Sequence, residues 1–156
     1  MAAGNIQEIP HDAEDLEFEV IEEGWNKYEL ESGIYLLART VLIKVFHIKG
    51  PNLGQTQLGP ATHDIFISKT RGEKGPPSPL MPEEISGQIK VERRQLRINK
   101  SDEVWNKYKL TKTGERIRTR VTITDVFLVP KRFDVFGYPA VIIESGVMIY
   151  REPKNI

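Results

Sequence analysis

The feature that most constrains this chain is a tetrapeptide that occurs twice, Trp25-Asn26-Lys27-Tyr28 and Trp105-Asn106-Lys107-Tyr108. A leucine follows each at the same interval, Leu30 and Leu110, and then a glycine-containing turn, Glu31-Ser32-Gly33 or Thr111-Lys112-Thr113-Gly114. With one extra residue in the second turn, Leu36 aligns with Ile117, Arg39 with Arg120, Leu42 with Ile123 and Val45-Phe46 with Val126-Phe127. A recurrence of this length predicts two copies of one unit. Two copies are too few for a solenoid, which needs about three.

Each copy has the pattern of a β-hairpin, two alternating runs about a short glycine turn. In the second copy Tyr108, Leu110, Ile117, Thr119, Val121 and Ile123 fall on one face. Trp105, Lys107, Lys109, Arg116, Arg118 and Arg120 fall on the other, because strand side chains alternate. In the first copy one face carries Leu36, Ala38, Thr40 and Leu42. The other carries Tyr35, Leu37, Val41 and Ile43, broken only by Arg39. A strand apolar on both faces is a strand covered on both. The second face is therefore expected to meet another part of the chain, another protein or a second copy.

The expected fold is all-β: two related hairpin units about a pseudo-twofold axis, as a barrel or a sandwich. Residues 1–14 read as a mobile acidic arm, 15–70 as the first unit, 71–88 as a proline-rich linker and 89–156 as the second. A unit of this size is marginal alone, since about 60 residues bury only about 60% of their unfolded surface. The halves are thus expected to share one core. Leu16–Val20 alternates and reads as a strand, as does His63–Ser68, with a loop over Lys49–Pro60 between. Gly75-Pro76-Pro77-Ser78-Pro79 excludes a sheet interior, because proline lacks an N–H. Pro82-Glu83-Glu84-Ile85 fits one turn of helix. Ile89, Val91, Leu96 and Ile98 are inward candidates, Pro130–Pro139 reads as a loop, and Ser145-Gly146 as the turn of a terminal hairpin.

The net charge of zero conceals a separation. From Glu8 to Glu31 there are ten acids and one base, Lys27; from Lys90 to Arg132 there are thirteen bases and five acids. Such asymmetry says more about partners than the total does. The chain has no cysteine, which excludes disulfides, thiolate chemistry and cysteine-ligated metals and suits the cytoplasm. No apolar run reaches the roughly 18 residues of a membrane helix. The histidines, His11, His47 and His63, lack metal-cluster spacing. Gly50-Pro51-Asn52-Leu53-Gly54 lacks the Lys-Ser/Thr of a phosphate loop. No cofactor, metal or catalytic set is expected.

The leading candidate site is Trp105, Lys107, Lys109, Arg116, Arg118 and Arg120. Cations with an aromatic suit single-stranded nucleic acid, phosphates meeting the charges and a base stacking on the ring. The competing account is a solvated strand face, because outward charge is common. The acidic arm could also dock on this face. The repeated Trp25, Asn26, Lys27 and Trp105, Asn106, Lys107 allow two accounts: equivalent binding positions, or a bend that tolerates asparagine. The rivals to a nucleic-acid protein are an assembly subunit using Tyr35, Leu37, Val41 and Ile43, and an enzyme with a pocket between the copies near Asn52 and Phe136.

Overall fold

A computed structural model describes residues 13–49, 56–72 and 74–153. It is all-β, with two antiparallel five-stranded sheets. The strands are β1 (Glu14–Leu16), β2 (Phe18–Glu22), β3 (Asn26–Leu30), β4 (Ile34–Lys49), β5 (Thr56–Thr70), β6 (Arg94–Leu96), β7 (Ile98–Asp102), β8 (Asn106–Leu110), β9 (Arg116–Phe133) and β10 (Pro139–Arg151). One helical turn, α1 (Pro82–Ile85), lies between β5 and β6. The proposed arm, residues 1–14, falls almost wholly outside the described residues.

Sheet A is ordered β1-β4-β3-β7, with β5 along the far side of β4; sheet B is ordered β10-β9-β8-β2, with β6 also on β9. The Leu16–Val20 run is not one strand. The chain changes sheets at Glu17: β1 pairs with β4, and β2 crosses to pair with β8. The same happens at Arg97, where β6 stays on β9 and β7 crosses to β3. The short strands before each Trp-Asn-Lys-Tyr thus stitch the two sheets together.

The alternation of β8 and β9 is the buried pattern expected of a half-covered sheet: Tyr108, Leu110, Ile117, Thr119, Val121 and Ile123 are all interior. One apolar cluster joins Tyr28, Leu30, Ile34, Leu36 and Ala38 of sheet A to Leu96, Val121, Ile123 and Val126 of sheet B. A second joins Leu16, Leu42 and Val45 to Tyr108, Leu110 and Ile117. Each cluster takes residues from before and after the proline-rich segment.

Several local expectations are corrected. β5 begins inside the expected loop and runs through Gly59-Pro60; as the outermost strand beside β4 it has no second neighbour to need the missing N–H. Ser145-Gly146 is not a turn: β10 runs straight through it, and the register shift beside it leaves Thr124 of β9 as the extra, bulged residue. β9 runs past Pro130 to Phe133, with Lys131 in the left-handed region at φ 63°. The reversal is confined to Asp134–Tyr138, where Asp134 Oδ1 accepts from the N–H groups of Phe136 and Tyr138. Ile89 is exposed and Val91 half-buried; β6 starts only at Arg94, leaving Leu96 and Ile98 as the inward pair.

The proline-rich segment is strapped down. Arg132 donates to both carboxylate oxygens of Glu84, to Ser78 O and to Pro79 O. Gly75 N–H bonds Gly137 O at 2.9 Å, and a Cβ at Gly75 would strike the Phe133 ring. The guanidinium of Arg132, with the Met81 N–H beside it, holds the Glu84 carboxyl down at about 2.

Candidate nucleic-acid interface

β8 and β9 set Lys107 beside Arg118 and Lys109 beside Arg116 on the outward face of sheet B. β10 extends the row, with Tyr150 opposite Arg118 and Met148 opposite Arg120. The Arg120 guanidinium lies 4.5 Å from the centroid of the Trp105 ring, and Tyr150 touches that ring at 6.4 Å with a 49° tilt. The six sequence-selected residues therefore share one continuous surface. Sequence reading missed Tyr150 and Met148, although the alternation of Val147–Tyr150 already marked a strand.

The acids around this surface were also missed. β2 places Glu19 opposite Lys109 and Glu22 opposite Lys107. Lys107 pairs with Glu22 at 3.5 Å, and Arg118 with Glu152 at 2.6 Å. The Glu152 N–H bonds Arg116 O, so the residues after β10 lie against the cationic row. Long-range strand pairing, invisible to a local pattern, brings these carboxylates in. The Lys107–Glu22 pair is exposed, of the kind worth about 0–1 kcal/mol, whereas Arg118–Glu152 is part-buried. Lys109 and Arg116 make no ion pair or side-chain hydrogen bond among the described residues.

The repeated asparagines are not on this surface. Asn26 and Asn106 are each 2% exposed, so neither meets a ligand. Neither has a positive φ, so the unusual-angle account fails too. Their amides instead clamp backbone across the molecule. Asn26 Nδ2 donates to Val121 O at 2.7 Å while its Oδ1 accepts from Val104 N–H at 2.8 Å. Asn106 Nδ2 donates to Thr40 O at 3.0 Å while its Oδ1 accepts from Gly24 N–H at 2.9 Å. An amide presents a donor and an acceptor on one head, which is what a two-ended bridge needs.

The tyrosines of the motif act alongside. Tyr28 donates its hydroxyl to Glu103 at 2.9 Å, and Tyr108 donates to Glu23 at 2.7 Å. Burial pushes the Tyr28 phenol up to about 12, and raises Tyr108 as well, helped by the adjoining Glu23 charge. Trp25 and Lys27 remain at the surface, and Arg39 lies over the Trp25 ring at 5.7 Å.

Among the described residues no group of three or more His, Asp or Glu side chains is placed to hold a metal ion. A recess of about 290 Å³ is lined by Glu14, Asp15, Leu16, Glu17, Thr111 and Lys112. Of the pocket expected between the copies, Asn52 lies outside the described residues. Phe136 stands 74% exposed at the tip of its turn. No described helix is long and apolar enough to cross a membrane. Comparison with protein-family models, curated proteins and solved structures finds no match.

Proposed function

We propose that this chain is a non-enzymatic protein of a reducing compartment such as the cytoplasm, binding single-stranded nucleic acid on the outer face of sheet B. The observation that carries this reading is the row Lys109, Arg116, Lys107, Arg118 and Arg120 with Trp105 and Tyr150 along it. Two of its cations, Lys109 and Arg116, are free to take phosphates. A flat face with aromatic edges suits splayed bases, which stack on side chains; it lacks the projecting helix or ribbon that enters a duplex major groove.

The same proposal makes the scaffold a duplicated unit about an approximate twofold. The support is reciprocity. Asn26 grips β9 at Val121, and Asn106 grips β4 at Thr40, the counterpart of Val121 in the aligned copies. Gly24 and Val104, Glu23 and Glu103, exchange places in the same way. The two apolar clusters contain matched residues, Tyr28 and Leu96 in one for Tyr108 and Leu16 in the other. The duplicated framework then carries two unlike outer faces, one cationic and one apolar.

The test is fluorescence anisotropy of a labelled single-stranded oligonucleotide titrated with protein over a salt series. Lys109→Glu with Arg116→Glu should weaken binding at least tenfold. It should also lower the salt slope by about 1.4, from two lost contacts at about 0.7 each for single strands. No binding by the wild type at low salt, or an unchanged slope in the variant, rejects the site.

A further inference from the structure

Among the described residues of the cationic row, Arg120 alone lies over an aromatic ring, 4.5 Å from the Trp105 centroid. It makes no ion pair and no side-chain hydrogen bond among the described residues, and its Nε is buried without a partner. Across from it on β10 stands Met148, 50% exposed; at the next outward position Thr122 faces Gly146. A side-chain carbon added at Gly146 would meet nothing within 4 Å, so the surface beside Arg120 is open. The aligned positions of sheet A are closed instead. Arg39 is held by Glu23, whereas Glu103, the counterpart of Glu23, engages Tyr28 and not Arg120. His63, opposite Val41, stands where Gly146 stands opposite Thr122.

We infer that Arg120, Gly146 and Met148 form a subsite that reads one base of a bound strand and selects guanine. This rests on the reading of sheet B as a nucleic-acid surface and adds the base it prefers. A guanidinium is a planar fork of donors. Guanine presents two acceptors, O6 and N7, along one edge, and such a fork meets them with two parallel hydrogen bonds. Along that edge adenine offers an acceptor and a donor, cytosine a donor, and thymine a single carbonyl, so none of them satisfies both N–H groups. A phosphate also accepts two bonds, and the unpaired Lys109 and Arg116 serve it without any fixed geometry. The contact with Trp105 holds the Arg120 guanidinium in place, and a pre-set fork loses less freedom when a flat partner docks on it. The gap at Gly146 admits that partner, while Met148 and the half-exposed Tyr150 beyond it give its ring an apolar surface. Arg116 lies four residues back along β9, about 13 Å at roughly 3.3 Å per residue, so a strand gripped there can lay a base at Arg120.

Fluorescence anisotropy on the full chain tests this with labelled single strands of equal length: all thymine, thymine with spaced guanines, and thymine with spaced adenines. The guanine strand should bind about fivefold tighter than the adenine strand, or better, as one bidentate contact allows. Replacing each guanine by 7-deazaguanine, which lacks the N7 acceptor, should remove the advantage. Arg120→Lys keeps the charge without the fork and should bring the ratio of the two affinities close to one. Gly146→Val fills the gap and should do the same; it gives the answer alone if Arg120→Lys fails to fold by circular dichroism. Lys109→Glu with Arg116→Glu should weaken all three strands and keep the ratio. Equal binding of the three strands by the wild type, or a guanine preference that survives both Arg120→Lys and Gly146→Val, overturns the inference and leaves the nucleic-acid reading standing. A wild type that binds none of the strands at low salt rejects both.

Discussion

The most informative perturbation is Asn106→Ala. The substitution removes two bonds at once, the one donated to Thr40 O at 3.0 Å and the one accepted from Gly24 N–H at 2.9 Å. The carbonyl is left in the interior, where Asn106 was 2% exposed, and the amide half-buried. Each buried polar group so stranded costs about 1–3 kcal/mol, and the two together about 2–4 kcal/mol when the amide is only partly enclosed. In a domain of this size that corresponds to a melting temperature lower by roughly 5–15 °C. Asn26→Ala should cost a similar amount through Val121 O and Val104 N–H. Asn99→Ala is the control: its exposed side chain accepts only from Arg97, and surface changes of this kind stay within about 0.5 kcal/mol. Asn106→Asp adds a pH test. It keeps the acceptor for Gly24 but puts a carboxyl against the Thr40 carbonyl, where only its protonated form can donate. Burial raises the folded-state pKa of that carboxyl above its unfolded value. The variant should therefore fare best below the ordinary carboxylate range and lose stability as pH rises through the folded value. Thermal melts by circular dichroism read all four. If the two interior alanine variants melt within a degree or two of the control, the amides are not the clamp described.

The phenols give a second test. Tyr28, pushed up to about 12, and Tyr108, raised likewise, should stay un-ionised in an absorbance titration until alkaline unfolding. Because the folded values lie above the unfolded value near 10, the stability from these groups is intact below pH 10 and drains away above it. Tyr108→Phe should cost about 1.5–3 kcal/mol in a denaturant melt, the range for a hydrogen bond to a charged group. Arg132→Ala should release the proline-rich strap, seen as faster tryptic cleavage at Arg71 and Lys74 with little change in the melt of the sheets. Glu84, held at about 2 against an ordinary 4.5, contributes its bond fully above pH 4.5 and loses it as pH falls toward 2. Strap cleavage by an acid-active protease should rise over that window in the wild type and be pH-insensitive in Glu84→Gln.

How much of this was legible differs from strand to strand. The inward set of β8 and β9 followed from period-two alternation alone, because one face of those strands is buried and the other wet. The cationic row followed for the same reason. The run Leu16–Val20 misled because alternation reports which face is apolar, not which sheet supplies it. Gly59-Pro60 and Ser145-Gly146 misled because turn residues are also tolerated in an edge strand, and β5 and β10 are both at a sheet edge.

By itself the sequence determined that the chain is β throughout, which residues of the second hairpin face inward, and where cations collect. Those are properties of neighbours along the chain, and alternation encodes them directly. Tertiary structure alone decided that β2 and β7 exchange sheets, that Glu22 and Glu152 border the cationic row, and that the repeated asparagines are interior bridges. These depend on residues brought together across the fold. A polar side chain in a strand has the same local signature whether its hydrogen bonds go to water or to the backbone of the opposite sheet.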